Sequence, residues 1–285
     1  MMAMVLAFSV VPHGVGDPVR FFVLAAMAVM FMGAAKAGFA GGAGLLSVPL
    51  MIYACGGDSR LAAGIMLPLL IACDYVAIFL WWRRWDLRNV WLLGPGMLLG
   101  VGLGWVALWW FFRLGGAAEG MKRPNAALAL AIGLLAVGFV GLQAVRVLRG
   151  RVAAFRPVLW QGTIVGATAG LTSTLAHAAG PIITMFIAPQ KMPKGKFVAT
   201  TVLYYWIGNQ IKLVPYLALG MLSTPSLAAD VALLPAVVGG ALLGVFLHHR
   251  VNEKAFSVLI HAILAAVGLH LAIVSARALW FPPAG

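Results

Sequence analysis

A polar break inside an apolar run is the feature that most restricts how this chain can fold. The run GLTSTLAHAAGP at residues 170–181 places hydroxyl groups, a histidine and three Gly or Pro positions between stretches of aliphatic side chains. In hydrocarbon every backbone N–H and C=O group must be paired, so a non-helical break at membrane depth survives only inside protein or beside a water-filled cavity. If the flanking stretches lie in a bilayer, the break therefore predicts a binding site.

The composition places those stretches in a membrane. Hydrophobic residues make up 63% of the 285-residue chain and charged residues 9%, and its mean hydropathy is +1.00. A water-soluble core could not bury so much apolar surface. The net charge of +13 would suggest nucleic-acid binding in a soluble protein, but here the basic residues lie in short loops, where they orient a membrane protein. We therefore expect a multi-pass protein whose partner is the lipid bilayer and not a nucleic acid.

The break occurs twice, once in each half of the chain. Gly38 precedes Pro49 by eleven residues, and Gly170 precedes Pro181 by the same interval. A second pattern, P-x4-G-x3-G, begins at Pro95 and again at 235. Two separated patterns in register predict an internal duplication, and paired Gly/Pro-interrupted segments are the usual sequence sign of a secondary-transporter site.

Ten apolar segments follow one another, five in each half. Two of them, the second and the seventh, have about thirteen residues and are shorter than the roughly 20 residues that a membrane span needs. Each is best explained as the returning arm of a helical hairpin whose Gly-rich tip lies inside the membrane. The predicted segments are 19–36, 43–55, 61–82, 89–112, 125–145, 157–171, 178–190, 197–222, 229–248 and 255–276.

The predicted fold is an all-α polytopic membrane protein with two inverted-topology repeats of about five segments, whose paired hairpins meet near the midplane. Alternating the loops puts twelve Lys and Arg residues on one side of the membrane and six on the other, and the richer side is expected to be cytoplasmic. Both termini are then outside the cell. The predicted domains are an extension at 1–18, a first repeat at 19–148, a basic cytoplasmic linker at 149–156 and a second repeat at 157–280.

Charged side chains inside these segments are candidates for a substrate pathway. Lys36 ends the first segment beside the first break and either faces a ligand or snorkels towards water. Lys212 lies deep in a long apolar segment, where it either lines the pathway or pairs with a carbonyl group or with Asp74. Asp74 itself is a candidate for proton coupling or an internal partner for a lysine.

The polar residues of the second break are the other candidates. His177 and the hydroxyl groups could form a cradle for an oxyanion, with His177 also able to carry a proton. Alternatively the hydroxyl groups bond to their own helix and His177 caps or bridges helices. Asn209 and Gln210 could complete the cradle or hold helices together. Helix N-termini just after Gly44 and Gly180 would direct N–H groups at an anion. The expected substrate-binding residues are Lys36, Gly38, Gly41, Gly42, Gly44, Thr172, Ser173, Thr174, His177, Gly180, Asn209 and Lys212.

The sequence resembles the TauE/SafE family of sulfite and organosulfonate exporters. GFAGGAGLLSVP resembles the Gly-rich N-terminal signature of that family, and the run from GLTSTLAHAAGP through LYYWIGNQIKLVPYLALG resembles one proteobacterial branch, so the likeness covers about residues 20–275. The resemblance implies that the two breaks, with Thr200, Asn209 and Lys212, are the characteristic positions. The resemblance also implies about eight membrane spans. Short helices at the hairpin tips would explain why the chain has ten apolar segments. TSTLAHAAGP replaces the commoner glycine cluster, and Ala179 stands where the branch often has glycine.

These observations together predict a secondary transporter of the bacterial inner membrane that exports a small oxyanion, sulfite or a related organosulfonate, by alternating access. No metal site, no cofactor and no enzyme activity are expected, and the sequence is compatible with a homo-oligomer. One alternative is an intramembrane serine-type hydrolase that uses Ser173 and His177, which are four residues apart and share a helical face. Another is an importer or channel for other small organic anions.

Overall fold

The structure is a computed structural model, and it describes residues 12, 15–36, 46–113, 122–149, 156–250 and 253–280. Within these residues the chain is all-helical, with ten α-helices and no strand. Each helix overlaps one of the ten predicted segments, so the predicted elements are confirmed for this part of the chain. The helices are α1 (Pro18–Ala34), α2 (Ser47–Ala54), α3 (Ser59–Leu80), α4 (Leu87–Arg113), α5 (Lys122–Arg149), α6 (Leu159–Ala176), α7 (Ala179–Ile187), α8 (Lys194–Ala218), α9 (Thr224–Arg250) and α10 (Glu253–Trp280), and a short 3-10 helix, Ala188–Gln190, follows α7.

Several helices have the length and character of membrane spans. Four of the helices in the described residues, α3, α4, α5 and α9, are long and apolar enough to cross a membrane, and α1 and the end of α10 are shorter apolar helices. Large apolar side chains also cover the outside: Trp91 is 76% exposed, Leu99 61% and Leu103 59%. Such a surface is compatible with lipid and not with water, so the chain is a multi-pass membrane protein.

Helix α4 packs on α6, and α9 packs on α1, with their backbones in direct contact. On α4, a Cβ atom added at Gly100 would lie 2.1 Å from the carbonyl oxygen of Ala167 on α6. On α9, a Cβ atom added at Gly240 would lie 2.6 Å from the carbonyl oxygen of Met30 on α1. Only glycine permits this approach, as in other small-residue helix interfaces, so these two glycines let α4 pack on α6 and α9 pack on α1.

The α6–α7 pair forms the hairpin predicted for the second break. Helix α6 ends at Ala176, His177 adopts the left-handed conformation with φ 50°, and α7 begins at Ala179. At 1.5 Å per residue the nine residues of α7 extend about 13 Å, which is too short for a span. The prediction that this helix begins after Gly180 was wrong by two residues, because Ala178 already occupies the cap position.

For the first hairpin, the structure describes the two helical arms. Helix α1 packs against α2, and the eight residues of α2 extend about 12 Å. The tip itself, residues 37–45, lies outside the described residues, and with it lie the candidate residues Gly38, Gly41, Gly42 and Gly44.

Hydrogen bonds between the loops that connect the helices show which loops lie at the same end of the bundle. Arg60, at the start of α3, donates a hydrogen bond to the carbonyl oxygen of Leu219 after α8, which joins the α2–α3 and α8–α9 connections at one end. Asn89, near the start of α4, exchanges two hydrogen bonds of 3.0 and 2.8 Å with Gln190 after α7, which joins the α3–α4 and α7–α8 connections at the other. This arrangement agrees with the predicted alternation of the loops between the two sides.

Candidate functional site

One face of α8 carries polar side chains that the fold buries deeply. Asn209, Lys212 and Tyr216 are three and four residues apart and therefore share a helical face. They are 4%, 1% and 0% exposed, respectively. Hydrogen bonds from these side chains reach α3 on one side and the α6–α7 break on the other, so this face connects the two halves of the site.

The half of the site on α3 is an ion pair between Lys36 and Asp74. Asp74 is fully buried, and its second carboxylate oxygen accepts a hydrogen bond of 2.6 Å from the side-chain amide of Asn209. The ammonium group of Lys36 lies 5.6 Å from the centre of the Tyr205 ring, a cation–π distance. Asp74 thus has a lysine partner, one of the two roles predicted for it, and the partner is Lys36.

The other half of the site is organised by Lys212. Its ammonium group lies 3.2 Å from the carbonyl oxygen of Ser173, 3.0 Å from the Ser173 Oγ and 3.1 Å from the His177 Nδ1. An ammonium group has three N–H donors, so these three acceptors use all of them. The acceptors are uncharged, and Lys212 therefore makes the carbonyl contact that was one of its predicted alternatives.

His177 is held from both sides of its ring. Its left-handed backbone conformation at the end of α6 turns the side chain towards α3, where the Nε2 lies 3.1 Å from the carbonyl oxygen of Ala63. Because a carbonyl oxygen can only accept, we assign the ring hydrogen to Nε2, which leaves Nδ1 to accept from Lys212. This assignment makes His177 a neutral side chain that positions the lysine.

The charges of the site do not cancel. Lys36 contributes one positive charge and Asp74 one negative charge, and Lys212, whose three acceptors require the three N–H groups of an ammonium ion, adds a second positive charge that has no counter-ion. A buried ion is stable only with an ionic or strongly polar partner. An anion of one negative charge beside Lys212 would complete the balance, so the arrangement is suited to binding a small anion.

The remaining hydroxyl groups of the break serve their own helix. The Oγ1 of Thr172 donates to the carbonyl oxygen of Thr168 at 2.9 Å, and the Oγ1 of Thr174 to that of Gly170 at 2.8 Å. These bonds correspond to the structural alternative weighed for the two threonines. Gly180 contributes its carbonyl oxygen, which lies 3.5 Å from the Tyr205 hydroxyl group.

Sequence reasoning missed two buried residues. Tyr216 donates a hydrogen bond of 2.9 Å to the carbonyl oxygen of Thr174 and lies 3.4 Å from the His177 Nε2, and its position four residues after Lys212 was the available signal. Asp230, a single acid in an apolar segment, is buried on α9. The side-chain nitrogen of Gln210, which was considered for the cradle, is buried and has no hydrogen-bond partner among the described residues.

An apolar cavity of about 510 Å³ lies between α5, α6 and α7. Thr172 and Ala178 of the break line one part of it, and aliphatic and aromatic side chains such as Leu134 and Phe186 line the rest. Its apolar lining does not suit an anion, so the ionic cluster around Lys212 remains the candidate site.

The chain matches the model of a known protein family. A family model described as "Sulfite exporter TauE/SafE" matches residues 25–271. Neither a curated protein nor a solved structure matches the chain.

Proposed function

Because the chain belongs to the TauE/SafE sulfite exporter family, a family of membrane transporters of the sulfite and organosulfonate type, we propose that it exports a small oxyanion by alternating access. Sulfite or a related organosulfonate is the proposed substrate. The single observation that supports this most is the buried ammonium group of Lys212, whose hydrogen-bond partners are all neutral.

The proposed substrate position is beside Lys212 at the α6–α7 break. An oxyanion there would replace one of the neutral acceptors, and Ser173 and His177 could then turn their polar groups towards its oxygen atoms. The first N–H groups of α7, which begins at Ala179, would add the positive end of a helix dipole. We further propose that the Gly-rich residues 38–44 supply the equivalent backbone contacts from the first hairpin.

We propose that residues 19–148 and 157–280 form two inverted repeats. The pattern of helix packing supports this proposal, because the most extensive helix contacts have counterparts related by the exchange of the two halves. Helix α1 packs on α9 as α6 packs on α4, α3 packs on α9 as α8 packs on α4, and the hairpin pairs α1–α2 and α6–α7 correspond. The self-equivalent pairs α3–α8 and α5–α10 are also in contact. Inverted repeats of this kind build alternating-access transporters.

The proposed orientation places the α3–α4 and α7–α8 connections in the cytoplasm of a bacterial cell and both termini outside, because the predicted cytoplasmic side carries twice as many basic residues. An inside-negative potential would then drive each negative charge outward with about 2.3 kcal/mol per 100 mV. Export of an anion therefore needs no nucleotide hydrolysis.

Flux in proteoliposomes tests the proposal. Purified protein is reconstituted in vesicles loaded with radiolabelled sulfite, and efflux is followed under an inside-negative potential. The wild type should release sulfite faster than empty vesicles, and Lys212→Met should reduce efflux to the empty-vesicle rate. Lys191→Met, the same change at an exposed lysine after the 3-10 helix, should keep the wild-type rate.

The outcomes separate the alternatives. Full efflux by a folded Lys212→Met protein would refute the proposed site, and the absence of flux of sulfite and of sulfonates would refute the transport proposal. If the variant does not fold, sulfite should still raise the melting temperature of the wild type, as a ligand of the native state must. Counter-exchange identifies a carrier and not a channel. The hydrolase alternative is not favoured, because the match is to a transporter family.

A further inference from the structure

Asp230 is a buried acid with no role in the anion site described above. Both of its carboxyl oxygen atoms are buried and have no hydrogen-bond partner within the described residues, and the residue is 4% exposed. It lies six residues after Thr224, about 9 Å along α9. Asp230 therefore lies near the start of a helix that is long and apolar enough to cross a membrane.

Helices α1 and α3 pack against α9. A Cβ atom added at Gly240 would meet Met30, and one added at Gly244 would meet Ala34. A step of four residues along α9 corresponds to a step of four residues along α1, so the two helices run parallel. Asp230, ten residues before Gly240, therefore lies level with the first turns of α1, close to the end of the bundle where α1, α3 and α9 begin.

The charged and titratable groups at this end do not neutralise Asp230. Asp17 and Asp58 accept hydrogen bonds from the first N–H groups of α1 and α3. The guanidinium group of Arg60 donates to the α8–α9 connection, and Arg20 is exposed. Within the described residues no cation is bonded to Asp230, because both of its carboxyl oxygen atoms lack a hydrogen-bond partner.

A carboxylate in such a place is unfavourable, because a buried charge needs a partner. Asp230 is therefore neutral in this conformation and carries a proton. Even the protonated carboxyl group leaves its O–H donor without a partner. Water that enters between α1, α3 and α9 would stabilise the charged carboxylate form of Asp230 far more than the protonated form.

We propose that Asp230 is a proton-binding site that couples transport to protonation. One carboxyl oxygen holds the proton while α1, α3 and α9 are packed together, and it transfers the proton to water as the interface opens, leaving a hydrated carboxylate. This inference rests on the proposed transport function. The two coupling candidates from the sequence are less suited to the role, since Asp74 is paired with Lys36 and His177 uses both ring nitrogens.

The first arm of the test does not depend on transport. Infrared difference spectra of the full-length protein at neutral pH should show the carbonyl stretch of a protonated carboxyl group in the wild type. Asp230→Asn should remove that band, and Asp86→Asn, at an acid paired with Lys196 in the α3–α4 connection, should keep it. An unchanged band in the folded Asp230→Asn protein would overturn the proposal.

The second arm measures coupling in proteoliposomes. Wild-type sulfite flux should respond to an imposed pH gradient, Asp230→Asn should lose that response, and Asp230→Glu, which keeps a carboxyl group, should retain it. A response to a sodium gradient in place of a pH gradient would overturn the proposal, as would a full pH response in Asp230→Asn. If wild-type protein moves no anion, the proposed function fails, while the infrared arm still decides whether Asp230 holds a proton.

Discussion

Neutralising one member of the Lys36–Asp74 pair should destabilise the protein, and neutralising both should largely restore it. The pair joins α1 to α3, Asp74 is fully buried and the Lys36 side chain is 11% exposed. Asp74→Asn leaves an ammonium group without its counter-ion, and Lys36→Met leaves a carboxylate supported only by the Asn209 amide. Removing one partner of a buried ion pair costs about 3–5 kcal/mol.

This cost corresponds to a measurable change in melting temperature. An unfolding entropy of about 2.1 cal/mol/K per residue over 285 residues is about 0.6 kcal/mol/K. Each single variant should therefore melt about 5–8 °C below the wild type. The Lys36→Met/Asp74→Asn double variant should lose less than either single variant, because replacing a buried ion pair by neutral groups is often nearly without cost.

The chain carries its own reporter and its own control. Cys55 and Cys73 are buried free thiols, so a thiol-reactive fluorescent dye reports unfolding in detergent. Lys196→Met and Asp86→Asn alter an ion pair whose side chains are 44% and 23% exposed, and each should cost less than about 1 kcal/mol, or about 2 °C. If the losses of the two buried single variants simply add in the double variant, the pair is not coupled and the charge balance argued for the site is refuted.

Two further variants test the packing and the break. Gly100→Ala should lower the melting temperature by about 2–5 °C, a cost of about 1–3 kcal/mol, because the added Cβ would lie 2.1 Å from the Ala167 carbonyl oxygen. A Cβ added at Gly102 would have no atom within 4 Å, so Gly102→Ala should melt at or above the wild-type temperature. Equal melting temperatures would contradict the close α4–α6 contact. Ser173→Ala should still transport sulfite in the flux assay, because Lys212 keeps the Ser173 carbonyl oxygen and His177 as acceptors. Complete loss of flux in the folded variant would show that the hydroxyl group is essential.

Much of the architecture could be predicted because it depends on local properties of the chain. Mean hydropathy, the length of each apolar segment and the positions of Gly and Pro predicted ten helices, two of them too short to span, and the break near His177. The break in the helix could be predicted because a chain reversal between two helices needs a residue outside the helical conformation. GLTSTLAHAAGP is the stretch where Gly, Pro, hydroxyl and histidine residues interrupt the aliphatic run. The exact start of α7 depended on the cap at Ala178, which no pattern marks.

The sequence by itself determined that this is a helical membrane protein with an interrupted segment in each half, because bilayer thickness and backbone hydrogen bonding act on every segment separately. Only the tertiary structure decided which charges meet. Lys36 and Asp74 are 38 residues apart, and Lys212 and Ser173 are 39 apart, so both contacts depend on how α1, α3, α6 and α8 cross. The same packing gave Asp74 a partner and left Asp230 without one among the described residues, although both are single acids in apolar helices. Hydropathy depends on residue type alone, whereas the partner of a buried charge depends on which helix faces it.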